Sequence, residues 1–287
     1  MFYFESLGFR RVGAWVLLAG LIGLTGCGDG GGEGGGDGLS GRLTLTGSST
    51  VAPLAGEIGK RFEAAHPGVR VDVQTGGSSR GVADATQGLA DIGMVSRELK
   101  EGEEALTART IALDGIALIV HAENPVTELS REQVVGIYRG EVSDWSEVGG
   151  GELGPITVVN KAEGRSTLEL FLQHFGLKNS EIDADVVIGD NQQGLKQVAG
   201  DRRAVGYVSI GAAEYAAGRG EAVRMLPMGG VEASIASVRS GEFPLARPLN
   251  LVTAGEVSGL AGAFLDFASS SAVNDLVEGQ YFVPIAD

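Results

Sequence analysis

Three short stretches of this chain pair glycine with hydroxyl side chains: Gly47-Ser48-Ser49-Thr50, Gly76-Gly77-Ser78-Ser79 and Gly164-Arg165-Ser166-Thr167. Such a stretch at a helix start offers unpaired backbone N–H groups and a partial positive charge, which suits a bound anion. Glycine lets the backbone come close to a ligand, and the serines either cap the helix or donate to what is bound. One such turn alone is ordinary helix capping; its recurrence at three points carries the functional reading. The third turn also brings two cations, Lys161 and Arg165. A carboxylate, Asp91, stands after the second turn at the start of an apolar run.

Each turn needs a strand before it and a helix after it. Residues 43–46, 69–73 and 156–160 are strand-like runs, the first two alternating apolar with polar residues. After the turns, Leu54, Ile58 and Phe62, then Val82, Ala85 and Leu89, then Leu168, Phe171, Leu172 and Phe175 recur at helical spacing. Pro53 is tolerated in the first turn of its helix. Further along, residues 114–121 form an almost wholly apolar run, as expected of a strand buried on both faces. Ser130 is placed to cap a helix over 131–138, and residues 249–253 after Pro248 suit a returning strand. The charged stretch 98–104 reads as solvated surface, and 231–240 as a helix. Strands alternating with helices throughout predict an α/β fold with largely parallel sheets. In such sheets ligands sit outside the carboxyl ends of the strands, where all three turns lie.

The chain has 287 residues, 43% hydrophobic and 21% charged, enough for one large or two modest domains. A formal charge of −15 argues against nucleic acid as a partner and obliges any anion site to work through local dipoles and hydrogen bonds. The single cysteine, Cys27, excludes a disulfide framework and a cysteine-rich metal site. No metal-ligand cluster, phosphate-loop motif or dinucleotide motif is evident, so no metal or cofactor is expected.

Near the N-terminus, Arg10 and Arg11 precede an apolar run over 12–24, short for a bilayer span but suited to a signal peptide. It ends in Leu24-Thr25-Gly26-Cys27, which resembles a bacterial lipobox. Residues 1–26 are thus expected to be a lipoprotein signal peptide and Cys27 the lipidated N-terminus. Residues 27–41, mostly glycine, cannot bury apolar surface and are expected to be a tether, with order beginning at Leu43.

With these turns in place, the chain resembles the phosphate-binding lipoproteins of bacterial phosphate ABC transporters, the PstS type of periplasmic binding protein. The resemblance runs from about Leu43 to the C-terminus. It is carried by GSSTVAPL (47–54), GGSSRGVAD (76–84), ADIGMVSREL (90–99), DGIALIV (114–120), NPVTELSREQVVGIYRGEVSDW (124–145), the EGRST turn, AVGYVS (204–209) and the closing RPLNLVT. It implies a two-lobed periplasmic-binding-protein fold (type II), with mixed, mostly parallel sheets and helices on both faces. The lobes would be 42–120 plus 247–287, and 121–246, closing on inorganic phosphate. Carried over, ligand contacts fall on Ser49, Thr50 and the backbone at Val51, on Ser78, Ser79 and Asp91, and across the cleft on Lys161, Arg165, Ser166 and Thr167. Here Lys161 stands where the family shows arginine, and Gly-Arg-Ser-Thr replaces its Gly-Ser-Gly-Thr. Either Arg165 supplies a guanidinium fork from a new position, or Lys161 supplies a point charge.

The implied role is capture of phosphate and delivery to an ABC permease, by a monomer held at a bacterial membrane in the periplasm or at the cell surface. Asp91 would accept the proton of hydrogenphosphate and so disfavour sulfate, which has none to give. The changed turn keeps sulfate and molybdate open as ligands. Gly77-Ser78-Ser79-Arg80-Gly81 also matches GxSxG, the nucleophile elbow of serine esterases, with His121 and His174 as the downstream candidates for its base.

Overall fold

The computed structural model describes residues 38–255 and 257–285. The signal peptide, Cys27 and the first part of the tether lie outside the described residues. Strand β1 (Ser40–Gly47) is central to a parallel trio with β2 (Gly68–Thr75) and β3 (Ile92–Val95). Helices α1 (Ala52–Ala65) and α2 (Ser78–Thr86) lie between them in the chain. Strand β1 begins three residues before Leu43, since Ser40 already pairs with Gly68. Backbone pairing satisfies N–H and C=O groups whatever the side chains, so polar residues can open a strand.

The second group of elements is α3 (Arg131–Tyr138), β5 (Thr157–Lys161), α4 (Ser166–Phe175), β6 (Val186–Ile188), α5 (Asn191–Gly200), β7 (Ala204–Ser209), α6 (Ile210–Gly218), β8 (Val223–Met225) and α7 (Ile235–Arg239). Two strands tie the groups together: β4 (Leu106–His121) and β9 (Ala246–Ala254). Helices α8 (Gly259–Ala268) and α9 (Asn274–Gly279) follow. The strand order is β2-β1-β3-β9-β4-β7-β5-β6, with β8 beside β4. Pairs within each group (β1 with β2 and β3; β5 with β6 and β7) are parallel, and the antiparallel pairs all involve β4 or β9.

Strand β4 changes partner along its length. Residues Leu106 to Gly115 pair with β9, whereas Ile116 to Val120 pair with β7. The apolar cores divide in the same way. In the first, Leu45, Leu54, Ile58, Phe62, Leu251 and Phe264 pack together, with Phe62 and Phe264 edge-to-face at 5.3 Å. In the second, Tyr138, Trp145, Phe171 and Tyr207 pack against the far end of β4, and Phe171 stacks on Tyr207 at 3.9 Å. Truncating a buried aromatic of this kind costs about 3–5 kcal/mol, so each core fixes the helices packed on it.

Three expectations change. Leu89 lies past the end of α2 and is 67% exposed, so it is not part of that helix's buried stripe. The helix expected over 231–240 is only Ile235–Arg239. In the charged stretch, Glu103 grips buried Arg97 through two hydrogen bonds at 2.7 and 2.8 Å. That stretch is therefore partly structural, because a buried guanidinium demands a paired carboxylate.

Candidate anion-binding site

The turns after β1, β2 and β5 converge on the place where β4 changes partner. Helices α1, α2 and α4 begin there without any side-chain cap, whereas α3, α5, α6 and α7 are each capped by serine or aspartate. The glycines explain how the backbones come so close. Gly77 has φ of 95°, and a Cβ there would sit 2.4 Å from the Gly164 carbonyl oxygen. Ser79 N donates to that same oxygen at 3.3 Å, so the second and third turns touch directly.

The hydroxyls form a continuous buried chain. Ser48 Oγ and Ser96 Oγ lie 2.8 Å apart, and Ser96 Oγ and Ser166 Oγ 2.6 Å apart. Ser78 Oγ donates to Ser166 Oγ at 3.1 Å and accepts from Ser96 N at 3.1 Å. Ser48 Oγ also accepts from the Thr50 and Val51 amides, at 3.2 and 3.4 Å. Ser49 faces the neighbouring cavity.

At the centre stands Arg247, 3% exposed, opposite the fully buried Asp114 in the β4–β9 register. Its Nε and Nη2 both donate to Asp114 Oδ2, at 3.1 and 2.9 Å. The other acceptor, Oδ1, takes hydrogens from Ser209 Oγ at 3.0 Å and Gly211 N at 3.3 Å. Arg247 also donates to Thr167 Oγ1 at 3.0 Å from Nη1 and to Thr50 Oγ1 at 3.2 Å from Nη2. A hydroxyl that accepts from a guanidinium keeps its own hydrogen to give. Arg247 thereby turns Thr50 and Thr167 into donors facing whatever enters.

Lys161 supplies a second buried basic group, 3% exposed at the end of β5. Its Nζ donates to Asn191 Oδ1 at 2.9 Å, and Asn191 Nδ2 donates to Thr50 Oγ1 at 3.1 Å. Burial, together with the charges of Arg247 and Arg165, pulls its pKa down to about 7, against a smaller upward pull from Asp190. Burial likewise lowers the pKa of Arg247, opposed by Asp114. Arg247 is offset by Asp114, and Lys161 beside them holds its proton only below about pH 7, so the site carries little net charge of its own and meets an anion through aligned donors. Arg165 lies half-buried at the edge, its Nε enclosed without a hydrogen-bond partner among the described residues. Of the two candidate cations in the third turn, Lys161 is the one linked to the site, through Asn191 to Thr50.

Asp91 is not in this site. It is exposed, and its Oδ2 accepts from Thr44 N at 2.7 Å. It precedes β3, whereas the site lies beyond the strand's other end, at Ser96. Residues that the turn pattern did not single out are Ser96, Asp114, Asn191 and Arg247. The legible signal for two of them was a lone charge just before a largely apolar run, Asp114 before 115–120 and Arg247 before 248–253.

Among the described residues Ser79 has no histidine as a hydrogen-bond partner. Its hydroxyl donates to Glu169 at 3.2 Å, while His121 Nδ1 accepts from the Glu123 amide and His174 lies on α4, its backbone carbonyl held by Arg131. Glu169 also meets Arg97 Nε at 2.9 Å and Lys100 Nζ at 2.7 Å, making an ionic cluster at the rim. A cavity of about 510 Å³ opens beside the site, lined by Ser49, Thr50, Asn191, Ser209, Tyr215 and Phe282 among others. Among the described residues no cluster of metal-ligating side chains occurs, and no helix is long and apolar enough to cross a membrane.

Residues 33–272 match the family model of the PBP superfamily domain. The chain is 30% identical over 254 residues to phosphate-binding protein PstS of Bacillus subtilis, covering 86% of this chain and 82% of that one. Among solved structures it is similar to a phosphate ABC transporter substrate-binding protein with bound phosphate from Clostridium perfringens. That match has 30% identity and a TM-score of 0.79, and covers 86% of this chain and 100% of the other. An ABC-type phosphate transport receptor from Vibrio cholerae matches at 28% identity and a TM-score of 0.68, over 85% and 100% of the two chains. These are binding proteins rather than hydrolases, in keeping with a Ser79 whose hydroxyl pairs with neither histidine among the described residues. On this fold, this coverage and this site, the chain belongs to the PBP superfamily of periplasmic binding proteins and, within it, to the PstS-type phosphate-binding proteins.

Proposed function

We propose that this protein captures inorganic phosphate among the uncapped starts of α1, α2 and α4 and delivers it to an ABC permease. The observation that carries this reading is Arg247, locked on Asp114 while it primes Thr50 and Thr167 as donors. Transfer of a doubly charged oxyanion out of water must be offset by many aligned donors, and this arrangement supplies them. The relatives' names agree with that chemistry. Phosphate contacts are assigned to Thr50, Ser78, Ser96, Ser166, Thr167 and Lys161, with Arg247 behind them. Titration calorimetry of residues 38–287 with phosphate, sulfate and molybdate tests it. Absence of phosphate binding near neutral pH would sink the assignment.

A sulfate or molybdate ligand is the second reading, favoured by one observation. Both oxygens of Asp114 are already taken by donors, and Asp91 is elsewhere, so no carboxylate in the site waits for a ligand proton.

We further propose that 42–120 plus 247–287 and 121–246 act as two lobes, hinged on β4 and β9, in a monomeric protein. Lipidation at Cys27 would hold it to a membrane, on the periplasmic or outer side. Small-angle scattering with and without phosphate tests the hinge and the oligomeric state together. Loss of membrane association in Cys27→Ala tests the anchor.

A further inference from the structure

We infer that Lys161 is the residue by which this site selects a protonated oxyanion, its buried amine accepting the hydrogen of a P–OH group. The inference rests on the phosphate-capture reading and adds to it the source of selectivity.

The usual device for recognising a ligand proton is a free carboxylate. Within this site Asp114 accepts four hydrogen bonds, two at each oxygen, from Ser209, Gly211 and Arg247. Four is about the acceptor capacity of a carboxylate, so Asp114 has nothing left for a ligand. Glu169 is held at the rim by Arg97, Lys100 and Ser79. Every hydroxyl in the buried chain can donate as well as accept, so none of them rejects a bare oxyanion.

Lys161 is different. It is buried, and Asn191 Oδ1 is its one hydrogen-bond partner through Nζ among the described residues. An ammonium there would leave two hydrogens unmet, which is costly in a buried position. A neutral amine gives one hydrogen to Asn191 and keeps a lone pair. The charged groups around it are Arg247 on β9, with Asp114 behind it on β4, Arg165 ahead of α4 and Asp190 ahead of α5. The nearby Tyr207 hydroxyl on β7 stays protonated, its pKa raised by burial. Two cations against one nearby unpaired carboxylate favour the neutral amine, in line with a Lys161 pKa of about 7.

Hydrogenphosphate can therefore place its P–OH hydrogen on Nζ, and the proton count is unchanged whichever atom holds it. Sulfate has no hydrogen and meets the lone pair with an oxygen, an unpaired contact between acceptors. Below pH 7 the ammonium returns and accommodates both anions.

The test is calorimetry with inorganic phosphate and sulfate from about pH 7.5 to 9.5, where phosphate is already mostly the hydrogenphosphate dianion and its own titration no longer moves the ratio, on the wild type, Lys161→Arg and Lys161→Met. In the wild type, the ratio of phosphate to sulfate affinity should widen above pH 7, approaching tenfold per unit, the limit for one linked proton. In Lys161→Arg, which stays charged, the ratio should be flat and sulfate binding should rise above that of the wild type at pH 8. Lys161→Met, with no titrating group, should also give a flat ratio. A wild-type ratio that runs parallel to that of Lys161→Arg overturns the inference. So does sulfate binding that is undetectable in the wild type and in the arginine variant alike. Absence of phosphate binding in the wild type instead overturns the phosphate reading on which the inference rests.

Discussion

Arg247 and Asp114 face each other across the β4–β9 pair, 133 positions apart in the chain, and the guanidinium reaches one carboxylate oxygen through both Nε and Nη2. Removing either partner strands a charge in the interior, a loss of about 3–5 kcal/mol. Arg247→Met and Asp114→Asn should each lower urea-unfolding stability by that order. Arg247→Lys keeps the charge but cannot span Asp114, Thr50 and Thr167 together. It should fold and lose at least about tenfold in phosphate affinity, on the scale of about 1.4 kcal/mol. Wild-type affinity in Arg247→Lys would show that the fork does not organise the site.

Glu169 joins α4 to Ser79, Arg97 and Lys100, all in the first group of elements. Arg97 keeps Glu103 when Glu169 is changed, so the fold should survive. Glu169→Gln should raise the phosphate dissociation rate several-fold, on the order of 1 kcal/mol for a partly solvated charged contact. Stopped-flow release measurements check this, and an unchanged rate would show that the Glu169 cluster does not hold the ligand in.

A methyl at Gly77 would press on the Gly164 carbonyl at 2.4 Å and on Arg165 Cδ at 2.9 Å, both beyond the β2–α2 turn. The residue also sits at φ 95°, a conformation that L side chains rarely adopt. Gly77→Ala should leave the circular dichroism spectrum native and weaken phosphate binding by tenfold or more. Equal affinity would mean that the second and third turns need not meet for capture.

Asp91→Asn gives the opposite expectation. Asp91 holds the Thr44 amide at the far end of β3, and asparagine can still accept there. Phosphate affinity should stay within about twofold and stability within about 1 kcal/mol. A large loss of affinity would return Asp91 to the site.

Lys161 also predicts how the ligand-free protein responds to pH. Its ordinary value of 10.5 falls to about 7 in the folded chain. Below pH 7 both folded and unfolded chains hold the proton, and the full cost of burying the charge is present. Between 7 and 10.5 the folded chain has released that proton while the unfolded chain keeps it, so stability rises with pH. Thermal unfolding of the wild type should therefore strengthen from pH 7 to 9 relative to Lys161→Met, by at most about 1.4 kcal/mol per unit. Parallel curves would place the titration of Lys161 outside that window.

Much of this architecture could be read in the chain because it is local. The capping box at Ser130 and Gln133, the stripe Leu54-Ile58-Phe62 and the glycines that open α2 and α4 depend on neighbours within about two helical turns. Asp91 misled for the same reason. Its closeness in sequence to the second turn says nothing about which end of β3 it occupies, and a strand of only four residues separates the two ends.

By itself the sequence determined the α/β alternation, the three glycine-hydroxyl corners and an anion as the kind of ligand, because periodicity and turn chemistry act over a few residues. Tertiary structure decided which groups meet: that the guanidinium on Thr50 and Thr167 is that of Arg247 and not of Arg165, that Asp114 is spent on holding it, and that Lys161 is buried. Those outcomes depend on strand register and burial between segments more than a hundred residues apart, and no local pattern encodes them.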